Sequence, residues 1–395
     1  MDNPAEQNNN SRQTALKFVV LVGVVSLFSD VTYEGARSIH GPFLALLGAS
    51  ATTVGVVAGL GEMVAYALRL VFGYLSDHTG RYWTITIAGY ILNLLAIPLL
   101  ALAGNWPMAA ALMVAERMGK AVRSPARDAM LSHAAHHMGR GWAFGLHEAL
   151  DQIGAVTGPL VVSAVMYFKS DYRASYAVLL VPALMAIAVL LAARWLYPTP
   201  RDMEDSPDHH LEPQGIPRVF WLYMGASALI AAGFADYPLA AYHFQKTGLI
   251  SEVWIPLFYA VAMGVDALAA LWLGHRYDRK GLSVMVGVAL VSALIAPLVF
   301  LGGFWPVLAG MILWGVGMAA QESVMRAAVA GMTPAGKRGS SYGLFSAAYG
   351  VAWFLGSAVM GFLYDHSVGA LVAFSVVMQL LSVPLLLVVS RRTRA

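Results

Sequence analysis

Three ionisable side chains interrupt an apolar run near the start of the chain. Asp30, Glu34 and Arg37 stand at i, i+4 and i+7, which places them on one face of a helix. A second set, His147, Glu148 and Asp151, interrupts another apolar run. His147 and Asp151 share a face with Gly154 and Gly158, while Glu148 points about 100° away. Carboxylates and a histidine in an apolar setting are suited to proton exchange. Desolvation favours the neutral carboxyl and a nearby cation the ionised one, so an environment that alternates can load and release a proton. The same residues allow a purely structural alternative, a buried network that orients helices, with Arg37 neutralising Glu34 as an i,i+3 pair.

Further charges stand in other apolar runs. Glu116, Arg117, Lys120 and Arg123 are followed by Ser124-Pro125-Ala126-Arg127-Asp128, and Glu116 and Lys120 have i,i+4 spacing. Glu322 and Arg326 echo that arrangement later in the chain, and internal ion pairing is the favoured reading for both groups. Glu62 and Arg69 lie seven apart on one face. Asp236, His243 and Asp266, with Tyr237, Tyr242, Trp314, Tyr349 and Trp353, are candidates for a polar and aromatic path, although aromatic stripes more often serve packing or lipid contact.

Enzyme chemistry finds little support. His147-Glu148-Ala-Leu-Asp151 is superficially like the H-E-x-x-H zinc motif, but the second histidine is absent, so an intramembrane metalloenzyme is a remote alternative. His133, His136 and His137 have a spacing that can chelate a metal, yet a solvated helix end explains them better. The chain has no cysteine, which excludes disulfides, thiolate metal sites and a cysteine nucleophile. It also lacks a G-x-x-x-x-G-K-[ST] loop, so no nucleotide or other cofactor is implied.

The elements that must hold these residues follow from composition. Of 395 residues, 58% are hydrophobic and 12% charged, about half the charge of a soluble domain. Lipid is the natural solvent for such a chain, and a spanning helix needs roughly 20 mainly apolar residues. Runs of that length lie near 16–40, 52–76, 83–104, 107–130, 142–168 and 173–196. Six more lie near 218–245, 252–275, 283–303, 305–330, 340–364 and 368–390. The expected organisation is therefore a polar tail (1–15), a six-helix bundle (16–196), a Pro-rich charged linker (197–217), a second six-helix bundle (218–390) and a basic tail (391–395). With both termini cytoplasmic, seventeen Lys and Arg fall inside and only Lys169, Arg173 and Lys246 outside, which sets the expected orientation. This placement of the basic residues also leaves nothing that suggests nucleic-acid binding.

The halves repeat. Gly73-Tyr-Leu-Ser-Asp77 matches Gly274-His-Arg-Tyr-Asp278, and Arg140-Gly-Trp-Ala-Phe-Gly145-Leu matches Arg338-Gly-Ser-Ser-Tyr-Gly343-Leu, at nearly one offset. Duplicated units put a substrate path at their interface, near the membrane midplane. The repeat alignment sets Phe345, Ser346 and Tyr349 opposite His147, Glu148 and Asp151, which predicts that the ionisable cluster belongs to the N-terminal half alone.

The loop Gly73-Tyr-Leu-Ser-Asp77-His-Thr-Gly80-Arg81 resembles the signature G-x-x-x-D-[RK]-x-G-[RK]-[RK] of the major facilitator superfamily. Its weaker copy is Gly274-His-Arg-Tyr-Asp278-Arg279-Lys280-Gly281. With twelve spans and a central linker, the resemblance covers the whole chain. It implies an all-α membrane fold of two pseudo-symmetric six-helix bundles. It also implies a gating role for Asp77, docked against the start of the eleventh helix and basic residues of the fourth, with Arg127 as candidate partner. Gly145, Gly154, Gly158 and Pro159 look like the superfamily's antiporter signature, with Val162-Ser163 replacing its closing glycine pair. Arg117-Met-Gly119 only loosely matches the R-x-x-Q-G spacing of the family's fourth helix.

The resemblance thus implies a secondary transporter of the bacterial inner membrane, working as a monomer with a small-molecule substrate and driven by the proton gradient. Export by proton antiport is the expectation, and import of a polar nutrient or metal chelate by proton symport is the alternative.

Overall fold

A computed structural model of the chain describes residues 4–135, 140–198, 217–333 and 338–393. Helices account for nearly all of them, in the order α1 (Pro4–Arg37), α2 (His40–Leu46), α3 (Ala51–Thr79), α4 (Tyr82–Leu99), α5 (Trp106–Ala135), α6 (Arg140–Lys169), α7 (Tyr172–Val178) and α8 (Leu180–Leu196). After the stretch 199–216 come α9 (Arg218–Gly233), α10 (Tyr237–Thr247), α11 (Trp254–Lys280), α12 (Ser283–Ser292), α13 (Ile295–Leu301), α14 (Phe304–Ala319), α15 (Met325–Met332), α16 (Arg338–His366) and α17 (Val368–Arg392). Most of the predicted linker and the residues His136 and His137 lie outside the described residues, as do the side chain of His133 and the last two residues of the basic tail. Helix α1 starts at Pro4, so most of the stretch expected as a polar tail is helical.

Among the described residues, eleven helices, some of them broken pairs, are long and apolar enough to cross a membrane. They span 19 to 30 residues with mean hydropathy 1.4 to 2.7. Backbone groups in hydrocarbon must be satisfied within their own segment, and a helix does this. Helix α5 has 30 residues, about 45 Å at 1.5 Å per residue. It falls outside the apolar set because Glu116, Arg117, Lys120 and Arg123 occupy its middle. The protein is an all-α, multi-pass membrane protein.

Small residues set the helix crossings that position the charges. A Cβ on Gly154 would lie 2.4 Å from the Leu27 carbonyl oxygen, and one on Gly158 2.4 Å from that of Val31. The small-xxx-small stripe of α6 therefore seats directly on the backbone of α1. This crossing faces Asp30 and Asp151 toward a common space. The two repeated loops end their helices alike. Each closes on a glycine at positive φ: Gly80 ends α3 at φ 64°, ψ 8°, in the left-handed helical region, and Gly281 ends α11 at φ 60°, ψ −151°, a region open essentially to glycine alone.

The two halves of the chain meet tightly at one end. Asp365, on α16, accepts from the Ala51 and Thr52 N–H groups at 3.0 and 2.8 Å and from the Thr52 hydroxyl at 2.6 Å. It thereby caps the start of α3 from the opposite half. Tyr242 donates to the Ala49 carbonyl at 3.2 Å, Tyr172 to Gln245 at 2.8 Å and Ser163 to the Val253 carbonyl at 2.8 Å. Toward the other end, which carries Arg81, Arg276, Arg279 and Lys280, α6 and α11 part, while Gly343 of α16 still packs against Leu70 of α3. Gly145 and Gly274 look into open space there, and Trp142 is exposed.

Candidate functional site

Between the halves lies a cavity of two abutting lobes, about 140 and 190 Å³. Seven residues line both: Glu34, Arg37, Arg69, Lys120, Met318, Glu322 and Arg326. The first lobe adds Glu62 and Arg117 and a wall of Tyr33, Tyr66, Tyr342, Phe345, Tyr349 and Trp353. The second adds Asp30, Arg123, Arg127, Asp128, Glu148, Asp151, Gln152 and Asp266.

Irregular backbone at membrane depth builds the first lobe. Between α9 and α10 the chain breaks, and Asp236 occupies the break with extended φ and ψ. Its carboxylate accepts from Trp353 Nε1 at 2.9 Å and Ser357 at 3.3 Å, and it faces Arg37 at 3.7 Å. Arg37 also faces Glu62 at 3.4 Å and Glu34 at 4.0 Å, so one guanidinium serves three carboxylates from α1, α3 and the α9–α10 break. Arg117 bonds Glu62 at 2.7 Å and, with Lys120, lies over the Tyr33 ring. Glu34 is held from the other half by the Tyr259 hydroxyl at 2.5 Å, and Lys120 approaches it at 3.9 Å. A single π-turn, Ala320–Val324, joins α14 to α15 and turns Gln321 and Glu322 toward the cavity. Gln321 accepts from Tyr349 at 2.5 Å.

The second lobe is less completely paired. Arg123 faces Asp30 at 3.8 Å and packs over Tyr90 at 4.2 Å, but its guanidinium makes no hydrogen bond among the described residues. Asp151 faces His147 Nδ1 at 3.6 Å, and the other ring nitrogen, Nε2, lies 2.9 Å from Ser26, which also accepts from Arg127 at 3.1 Å. His147 therefore sits behind the wall, 3% exposed, with Asp151 between it and the cavity. Gln152 links Glu148 on its own helix to Asp266 on α11, both at 3.4 Å. Buried oxygens of Asp151 and Asp266 lack hydrogen-bond partners among the described residues.

Much of the expected constellation is brought together: Asp30, Glu34, Arg37, Glu148, Asp151, Arg117, Glu322, Arg326, Asp266, Tyr349 and Trp353 all line the cavity, with His147 and Asp236 bonded to its wall. Several expectations are corrected. The ionisable cluster is not confined to the N-terminal half, because Asp236, Asp266, Glu322 and Arg326 join it. Lys120 turns from Glu116 to Glu34 and the Tyr33 ring, where it gains both an anion and a π-face. Glu116 instead faces His40 and Arg117, each at 3.9 Å. Arg127 is not the partner of Asp77; it bonds Asp128 and Ser26. Asp77 accepts from Tyr82 at 3.4 Å, and the side chains at the start of α16, where the resemblance docks Asp77, lie outside the described residues. Tyr237 and His243 do not line the cavity. Tyr237 is fully buried and donates to the Ile255 carbonyl, and His243 pairs with Tyr364 near the sealed end. No group of three or more His, Asp and Glu among the described residues is arranged to hold a metal ion.

Sequence reasoning left out Tyr33, Tyr259, Gln152 and Gln321. Tyr33 was within reach of it, at i+3 from Asp30 on the charged face; Tyr259 and Gln321 are lone polar groups with no local pattern.

Broken helices around a charged cavity, closed at one end and open at the other, define a secondary transporter of the alternating-access type, not an enzyme. The chain belongs to the Major Facilitator Superfamily, whose family model matches residues 26–301 and 253–395. A Mycobacterium tuberculosis protein described as uncharacterized is 42% identical over 375 residues, covering 93% of this chain and 92% of the relative. The fold is similar to that of a POT family transporter in complex with a thioalcohol-conjugated peptide, with TM-score 0.75 and 11% identity over 95% of this chain and 96% of that one. It is also similar to the nucleoside transporter NupG, with TM-score 0.68 and 13% identity over 95% and 98%.

Proposed function

We propose that this protein is a proton-coupled symporter that carries a small polar solute into the cell. In this reading the chain forms twelve spanning helices, α5 among them, in two pseudo-symmetric six-helix bundles (residues 16–196 and 218–390). Both termini and the basic loops face the cytoplasm, which makes the state described above open inward. The observation that carries the proposal is the paired-lobe cavity: an acid-rich lobe able to exchange protons abuts a lobe of cations and aromatic rings able to hold a polar solute. Glu34, Arg37 and Lys120 line both, so a change of charge in one lobe is felt in the other.

Asp30 and Asp151 are the foremost proton carriers of the proposal. They face each other's helices across the Gly154–Gly158 crossing, and Arg123 and His147 stand beside them as alternative charge partners. Glu148 and Asp266, tied by Gln152 across the halves, are the second pair. Protonation weakens the hold of each carboxylate on its cation, and reorientation to the other side of the membrane reverses the step. Asp77, Gly80 and Arg81 with their copy Asp278 and Gly281 would close the cytoplasmic end in the opposite state. Polar solutes named for similar folds, a peptide derivative in one and nucleosides in another, support a small polar substrate.

Export by antiport is the second reading, favoured by Gly145, Gly154, Gly158 and Pro159. Reconstituted liposomes decide between them. Symport predicts that substrate entry carries protons in the same direction, read by an entrapped pH dye. Opposite movement of protons and solute assigns antiport, and flux that ignores both proton and sodium gradients removes both readings.

A further inference from the structure

The first lobe carries five cations, Arg37, Arg69, Arg117, Lys120 and Arg326, against three carboxylates, Glu34, Glu62 and Glu322. Counting Asp236, which lies behind Arg37, leaves the balance positive. Three of the cations are engaged: Arg37 with Glu34, Glu62 and Asp236, Arg117 with Glu62, and Lys120 with Glu34. Arg69 and Arg326 have no carboxylate within 4.0 Å among the described residues, although Glu322 stands one turn before Arg326 and Glu148 and Asp128 share the neighbouring wall. Arg69 Nε is buried without a hydrogen-bond partner, and its guanidinium lies over the Tyr66 ring at 5.7 Å. Arg69 comes from α3 and Arg326 from α15, so the two unpaired cations stand on opposite halves of the chain, and both border both lobes.

From this geometry we infer that the transported solute is a small oxyanion, a carboxylate or phosphate compound, clamped between Arg69 and Arg326. The inference rests on the secondary-transport reading and adds the substrate class. A planar guanidinium offers paired N–H donors that match two oxygens of one carboxylate or phosphate, and it remains charged at all working pH. Tyr66 and Tyr349, ring to edge at 5.7 Å, supply a flat wall beside the clamp for the remainder of the solute. Because the clamp draws one arginine from each half, the bound anion pulls α3 and α15 together. Occupancy thus favours closure at the end where α6 and α11 now part. An unpaired pair of cations repels when that end closes empty, so the unloaded carrier resists closing.

Binding to the purified full-length protein tests this without any gradient. Potassium phosphate and potassium succinate are titrated at constant ionic strength in chloride, with choline chloride and sorbitol as controls, and read by thermal stabilisation and calorimetry. At least one of the two oxyanions raises the unfolding temperature saturably. Arg69→Gln and Arg326→Gln each weaken that binding roughly tenfold, and Arg326→Lys restores part of it. Stabilisation by choline or sorbitol alone, no effect from both oxyanions, or unchanged oxyanion binding in the double Gln variant overturns the clamp. Each variant's unfolding temperature without ligand shows whether it folds, and Arg326→Lys remains a folded probe should a Gln variant fail. The proton-coupling reading fails on a different result, substrate flux that does not respond to a pH gradient, so the two can fall separately.

Discussion

The two lobes of the cavity share a wall and differ in charge. Five cations and three carboxylates face the first, whereas six cations and seven carboxylates face the second. The first is also walled by six aromatic rings, and the second by nearly none. Electrostatics then separates two tasks within one space. An aromatic, net-cationic lobe suits a polar solute with negative charge, and a lobe with a surplus of incompletely bonded carboxylates suits protons. The residues common to both are the physical means of coupling, because Coulomb forces at these separations act strongly where water is scarce.

The largest effect is expected where the comparison would collapse. Arg37→Ala removes the cation that three buried carboxylates share. Asp236 loses the only cation within 4.0 Å of it among the described residues, while Glu62 keeps Arg117 and Glu34 keeps Lys120 and Tyr259. Leaving Asp236 buried and unpaired should cost about 3–5 kcal/mol of stability, seen as a large fall in unfolding temperature together with loss of transport. Next is the crossing that shapes the second lobe. A side chain at Gly158 would meet the Val31 carbonyl at 2.4 Å, so Gly158→Val should force α1 from α6 and cost about 1–3 kcal/mol. Transport should fall more than the affinity of the first lobe does, as measured by ligand titration.

Asp365→Ala sharpens a different contrast, sealed end against open end. It removes three hydrogen bonds from the start of α3, and loss of this solvent-exposed helix cap should shift the conformational balance by about 0.5–2 kcal/mol. The native chain has no cysteine, so pairs of introduced cysteines carrying spin labels can report distances at each end without background. Wider spacing at the sealed end is the expected outcome. Smallest is Tyr259→Phe, which frees Glu34 of one bond and should change stability by about 0.5–1.5 kcal/mol. Its effect should appear in the pH profile of transport more than in binding.

Much of the fold was legible because hydrocarbon imposes a simple rule of length and apolarity. The charged helix α5 was recovered from its flanking apolar residues even though its middle is ionic. The faces of α1 and α6 were legible too, since helical spacing fixes which side chains share a side. Pairings between distant segments were not. Nothing local to Asp236 announces Arg37, because the pair depends on a break in one half meeting a helix end of the other. The i,i+4 rule likewise gave Lys120 a neighbour in Glu116, but a rule of proximity cannot weigh that neighbour against a carboxylate and a ring arriving from α1. Arg127 was assigned to Asp77 by resemblance, while its immediate neighbour Asp128 and Ser26 take its hydrogen bonds.

The division of labour between the lobes is tested most directly by comparing gradient-driven uptake with exchange at equal pH, in liposomes bearing Asp30→Asn, Asp151→Asn or both. The account predicts that the double variant loses uptake driven by a pH gradient by about a hundredfold while still exchanging internal for external substrate. Undiminished pH-driven accumulation in that variant, or loss of exchange and accumulation together with intact folding, would contradict it.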